Sequence, residues 1–152
     1  MADHISKRVV DAMTSALNGA GITAIVDAAP VAVTILEDPP ANNRLDPSKL
    51  PALFVFAGRE QIDPSATGLL QRDLQTSIVM LASPAAEVTS QLFEMQLAVE
   101  KTLAASDDLG GLAFDMYPVS ADQVLERGEA IHGARSIDYL IRCASTRSDP
   151  SL

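Results

Sequence analysis

A chain of 152 residues with 47% hydrophobic and 20% charged side chains suits one domain with its own core and argues against wholesale disorder. Twenty acidic residues against eleven basic ones, a net charge of −9, oppose binding to a phosphate backbone, which needs clustered Lys and Arg. The single cysteine, Cys143, excludes a disulfide framework within the chain. No run approaches the ~20 apolar residues of a membrane span. The N-terminus lacks the continuous apolar core of a secretory signal, so a soluble protein made in the cytoplasm is expected. Aromatics are only 4% of residues and tryptophan is absent. The core must then be mostly aliphatic, and a partner surface must lean on backbone, aliphatic side chains and charge rather than aromatic anchors.

Residues 4–18 read as a helix, because Ile5, Val9, Ala12, Met13 and Ala16 recur at helical spacing. Asp3 is the expected N-cap, and Gly19 and Gly21 the exit. "PVAVTIL", residues 30–36, is short, β-branched and bounded by prolines, and predicts a strand. Residues 37–49 hold three prolines and two asparagines and read as a long loop. "ALFVFAG", 52–58, predicts a buried strand, and 59–70 a polar connection.

Residues 72–82 give the clearest strand pattern. Leu74, Thr76, Ile78 and Met80 share one face, while Asp73, Gln75, Ser77 and Val79 share the other. One face of the sheet is therefore expected to be wetter, as antiparallel sheets permit. Residues 83–106 predict the longest helix, capped by Ser83 with Pro84 in the first turn. Its stripe is Val88, Leu92, Met95, Val99 and Leu103, and Gly110-Gly111 end the segment. A strand is expected at 112–119, with Pro118 placing its end at an edge or bulge. Residues 120–135 read as polar and irregular. In 136–144, Ile137, Tyr139, Ile141 and Cys143 face one way.

The predicted order is α-β-β-β-α-β-β. Helices do not alternate with strands, which excludes a doubly wound sheet. An α+β fold follows: a single, largely antiparallel or mixed sheet with both helices on one face. One domain is expected over 1–145, with a frayed tail at 146–152.

The residues that carry chemistry elsewhere read blandly here. His4 and His132 lack ligand spacing and read as exposed polar residues. Cys143 lies inside a strand and reads as a small buried hydrophobe. Asp107-Asp108 read as a solvated turn. "GAG" at 19–21 follows a helix rather than a strand, so it is no dinucleotide loop. No catalytic, cofactor-binding or metal residue is assigned, and no cofactor is expected. Charged residues in the loops are the candidate contacts between subunits: Arg44, Asp46, Lys49, Arg59, Glu60, Glu126, Arg127, Glu129 and Arg135. Exposed ion pairs of this sort contribute ~0–1 kcal/mol each, so they would set register more than affinity.

Three segments carry a resemblance. "RDLQTSIVMLAS" precedes the long helix, "LGGLAFDMYPV" follows it, and "GEAIHGARSIDYLIRCAS" feeds the last strand from a glycine-flanked loop. In their order and spacing these segments resemble the tail terminator, or tail-completion, proteins of long-tailed bacteriophages and gene-transfer particles. The resemblance runs over most of the chain and contains no chemical motif. It implies a structural, non-enzymatic assembly protein in the virion tail. Its subunits would form a hexameric ring that caps the tail tube, stops its polymerisation and joins it to the head. The implied partners are further copies of the chain, the major tail tube protein and a head-completion or connector protein. DNA would pass through the lumen without specific binding, and no membrane is involved. The alternatives are a head–tail connector or tube subunit and, in a different class, a small-ligand binding domain or an enzyme.

Overall fold

The computed structural model describes residues 3–39, 46–66, 68–84, 87–127 and 131–151. The fold is α+β, as the pattern of elements predicts. Helix α1 (Ile5–Gly19) leads into a hairpin, β1 (Thr23–Val26) and β2 (Ala29–Ala32), and then into β3 (Thr34–Leu36). A single 3-10 turn, Pro47–Lys49, precedes β4 (Ala52–Ala66) and β5 (Leu69–Leu81). Helix α2 (Val88–Ala105) is followed by β6 (Asp115–Arg127) and β7 (Ile131–Thr146).

Five strands form one sheet in the order β3-β4-β5-β7-β6. The β3–β4 pair is parallel, and the other three pairs are antiparallel. Both helices cover one face. The α1 stripe of Ile5, Val9, Met13 and Leu17 is buried, as is the α2 stripe of Val88, Leu92, Met95, Val99 and Leu103. They close over Leu53 and Val55 of β4, Leu74, Ile78 and Met80 of β5, and Ile137, Tyr139, Ile141 and Cys143 of β7. Each fully buried aliphatic side chain contributes roughly 1.5–3 kcal/mol, so this layer dominates stability. The alternation read from residues 72–82 is reproduced, with Leu74, Thr76, Ile78 and Met80 all buried.

Several boundaries differ from the expectation. Segment 30–36 is split between β2 and β3, and β1 pairs antiparallel with β2 in a hairpin the sequence did not signal. Its turn residues Asp27 and Ala28 both have positive φ, 51° and 64°, where Asn-Gly or Asp-Gly is the usual signal. Carboxylates on and beside α2 hold the hairpin in place: Glu87 accepts from the Asp27 backbone N–H at 2.7 Å, and Glu94 from that of Ile25 at 3.0 Å.

The first helix is capped by His4, whose Nδ1 accepts from the Ser6 N–H at 3.1 Å, in place of Asp3. Ser83 does not cap α2. The buried Gln91 amide bonds both its N–H and its carbonyl, at 2.9 and 3.0 Å, and the helix begins at Val88.

The polar connection expected at 59–70 is mostly strand, with β4 running to Ala66 and β5 starting at Leu69. So is most of the irregular segment expected at 120–135, where β6 runs to Arg127 and β7 starts at Ile131. Polar side chains disguised these arms, because backbone pairing to a neighbour requires no apolar face. The tail expected to fray is docked as far as Ser151. Ile5 N–H donates to the Pro150 carbonyl at 2.9 Å, Arg8 donates to the Ser151 carbonyl at 2.6 Å, and Ser151 is buried.

Candidate assembly interface

The strand directions fix two projections. The β4–β5 turn lies at the end of the sheet where Leu69 pairs with Thr146, four residues beyond the start of β6 at Asp115↔Arg142. The β6–β7 turn lies at the opposite end, past the last β5–β7 pair, Leu81↔Ala134. The β4–β5 hairpin, with β7 paired alongside it up to the turn, therefore ends the sheet on one side, and the β6–β7 hairpin reaches past β5 on the other. The first carries exposed Ile62 and Leu69, and the second carries exposed Val124 at its base.

The face away from the helices is polar at its centre. Asp138 of β7 accepts from Ser77 Oγ at 2.6 Å, from Ser120 Oγ at 3.1 Å and from Gln75 Nε2 at 3.4 Å. These contacts stitch β5, β7 and β6 together across the open surface. Beside them, Asp73 accepts from Gln71 at 3.2 Å and lies 3.6 Å from Arg142. Phe54 and Phe56 form a tilted pair, 6.1 Å between centroids, where β4 borders this face. Of the two, Phe56 is exposed.

The sequence-predicted contact residues that are described lie in different settings. Arg44 and Glu129 lie outside the described residues. Asp46 caps the 3-10 turn by accepting from the Ser48 N–H at 3.0 Å, and that bond holds its carboxyl below the usual range. Lys49 ends the same turn and is exposed. Glu126 and Arg127 occupy the last paired positions of β6, opposite His132 and Ile131.

Arg135 points into the helix side of the sheet. It stacks 4.6 Å over the Phe93 ring and donates to the Gln96 and Gln123 amide oxygens. Glu60 lies in an inward network: Arg72, buried, reaches it at 3.2 Å and donates to Ser145 Oγ at 2.8 Å, while Ser6 of α1 donates to its other oxygen. Glu60 and Arg135 thus tie the helices to the sheet. Arg59 is different. It is exposed, sits at a bulge between Ala57 and Glu60, and makes no ion pair among the described residues.

Sequence reading missed the Asp138 network and the Arg72 network. The only cue for either was a charged residue inside an otherwise alternating strand.

Among the described residues, no group of three or more His, Cys, Asp or Glu is placed to hold a metal ion. No helix among them is long and apolar enough to cross a membrane. Burial pushes the Cys143 thiol up to about 11, so it is a protonated interior side chain at neutral pH. Asp107 and Asp108 are exposed in the turn after α2, where the Asp108 carboxylate accepts from the Gly110 N–H. A shallow cleft of about 230 Å³ between α2 and β6 is lined by Glu100, Leu103, Ala104, Met116, Pro118 and Tyr139. Small-molecule sites usually offer ~300–1,000 Å³ with convergent polar groups. Neither a protein-family model nor a curated protein matches the chain.

Proposed function

We propose that this chain is a tail-terminator-type assembly protein: a ring-forming subunit that caps a growing tail tube and presents the joint to the head. The observation that carries the reading is the pair of unlike hairpins, β4–β5 and β6–β7, at opposite ends of one sheet. A cap must engage two unlike partners on opposite sides, the tube below and the head above. Two arms that differ in sequence, one at each end of the strand axis, supply two such surfaces on a rigid base. The helices brace that base from one face, leaving the other free.

The open face suits the lumen side of such a ring. Asp63, Asp73, Asp122 and Asp138 belong to its register, with Arg142 the counter-charge beside Asp73. An acidic, hydrogen-bonded surface repels phosphate, so DNA passes without sticking. The resemblance in segment order supports termination over the connector and tube roles.

Deleting the gene from its particle tests the reading. Overlong tails lacking heads, seen by electron microscopy, are the expected result, and tails of normal length overturn it. A purified protein that polymerises freely into open tubes would instead assign it to the tube.

A further inference from the structure

The five-stranded sheet has two free edges that differ from each other. On one side β3 covers only Ala52–Phe54 of β4, so from Val55 onward β4 has no strand neighbour on its outer side among the described residues. On the other side β6 is the edge along its whole length, from Asp115 to Arg127. An unpaired row of backbone N–H and C=O groups is a template for another strand, and natural proteins usually blunt it. Here the first part of β6 is blunted by Pro118 and by the bulge between Pro118 and Ser120. Among the described residues, Ser120–Val124 and Val55–Asp63 pair with no outer strand.

We propose that these two edges pair with each other between copies of this chain, β6 of one subunit joining β4 of the next in an antiparallel ladder. This inference rests on the ring reading above and names the contact that builds the ring. Strand sense comes first. Each of the steps β4–β5, β5–β7 and β7–β6 reverses direction, so β6 runs opposite to β4. Repeating the subunit by rotation about an axis along the strands therefore sets β6 antiparallel to the next β4, continuing the sheet. Because the edges are unlike, the contact is head-to-tail, the kind that closes rings.

Register comes second. Aligning Asp122 with the Gly58–Arg59 bulge places Ser120 opposite Gln61 and Val124 opposite Phe56. Within each subunit, Asp122, Ser120 and Val124 pair with Ser136, Asp138 and Ala134, the open-face positions of β7. Phe56 and Gln61 pair with Ser77 and Asp73, the open-face positions of β5. The intervening Ala121 and Gln123 meet Glu60 and Ala57 on the helix side, so both faces stay continuous. This register joins two exposed apolar side chains, Val124 at 57% and Phe56 at 37% exposure. It also places the acidic Asp122 against the exposed cation Arg59, and neither makes an ion pair within the described subunit. Opposite charges directly across a strand pair stabilise it, and like charges oppose it.

Two experiments on the full chain test the pairing. In the first, sedimentation compares wild type with Arg59→Asp, Asp122→Arg and the double charge swap. Each single variant is expected to weaken self-association roughly five- to tenfold, and the swap to restore it. Single variants that associate like wild type overturn the proposal. In the second, Arg59→Cys and Asp122→Cys are made alone and together and oxidised mildly at high protein concentration; Cys143 is buried and stays out of reach. Only the double variant is expected to give a ladder of covalent multimers. Dimers from Asp122→Cys alone would mean a two-fold β6–β6 contact and overturn the head-to-tail ladder, as would a double variant that stays monomeric. Circular dichroism on each variant shows that it is folded. The outcomes separate the two proposals. No ladder together with overlong tails on gene deletion removes the edge pairing and leaves the terminator reading. A ladder with normal tails does the reverse.

Discussion

The two faces of the five-stranded sheet are built from the same strands and behave as different materials. On the covered face, Ile78, Met80, Ile137 and Ile141 are sealed beneath α1 and α2. One residue along, Ser77, Val79, Ser136 and Asp138 are only partly covered, and a side-chain hydrogen bond joins Ser77 to Asp138. Side-chain alternation along a strand makes the division, and the register of β5 with β7 keeps it consistent across the sheet. The lesson is one of partition. Stability is concentrated on one face, leaving the other free to carry charge and change its contacts without unfolding the subunit.

Substitutions at adjacent positions break this comparison most sharply. Ile78→Ala, on the covered face, is expected to cost about 2–5 kcal/mol in urea unfolding, because helices anchored elsewhere collapse only partly into the cavity. Ser77→Ala, its neighbour on the open face, should cost about 1 kcal/mol or less, since it removes one hydrogen bond. Equal losses at the two sites would mean that both faces are structural. Next in size is Arg72→Met. It removes the ion pair to Glu60 and the bond to Ser145 on the covered side, and about 1.5–3 kcal/mol is expected, read from the same unfolding curve.

Alkaline pH probes the covered face without mutation. The Cys143 thiol is raised by burial from its ordinary value to about 11, and burial, with Glu100 adding to it, also pushes the Tyr139 hydroxyl up. In the unfolded chain a thiol releases its proton near ~8.5 and a tyrosine near ~10. The unfolded state then holds fewer protons than the native state. Stability from these groups is complete below pH ~8.5 and is lost as pH rises through about 11 for Cys143. A declining melting temperature over that interval, with a thiol reagent labelling Cys143 only as the protein unfolds, is the expected pattern. Labelling of the native protein at neutral pH would contradict the burial. The smallest effect belongs to Asp138→Asn. It keeps an acceptor for Ser77 and Ser120 and should change stability by under about 1 kcal/mol. It should nonetheless raise the affinity of the open face for polyanions, measured by heparin retention.

What could be read ahead of the structure follows from periodicity. The two helical stripes and the alternations at 72–82 and 136–144 reflect burial against a single face, and burial leaves its mark directly in residue type. The candidate contacts were less legible. Arg135 and Glu60 looked like loop charges yet face the helix side of the sheet. No local pattern separates a charge that finds a partner across 12 residues, as Glu60 finds Arg72, from one that finds solvent, as Arg59 does.

The sequence by itself determined the fold class, the two helices and which residues of the central strands face the core, because each depends on hydrophobic repeats a few residues long. Tertiary structure decided the rest. It extended β4 and β6 through polar segments, formed a β1–β2 hairpin on two positive-φ residues that carry no glycine, docked the C-terminal residues on α1, and left two unlike edges open. Those outcomes depend on which backbone groups meet across the fold. A backbone hydrogen bond is nearly indifferent to the side chain that carries it, so only the assembled sheet reveals it.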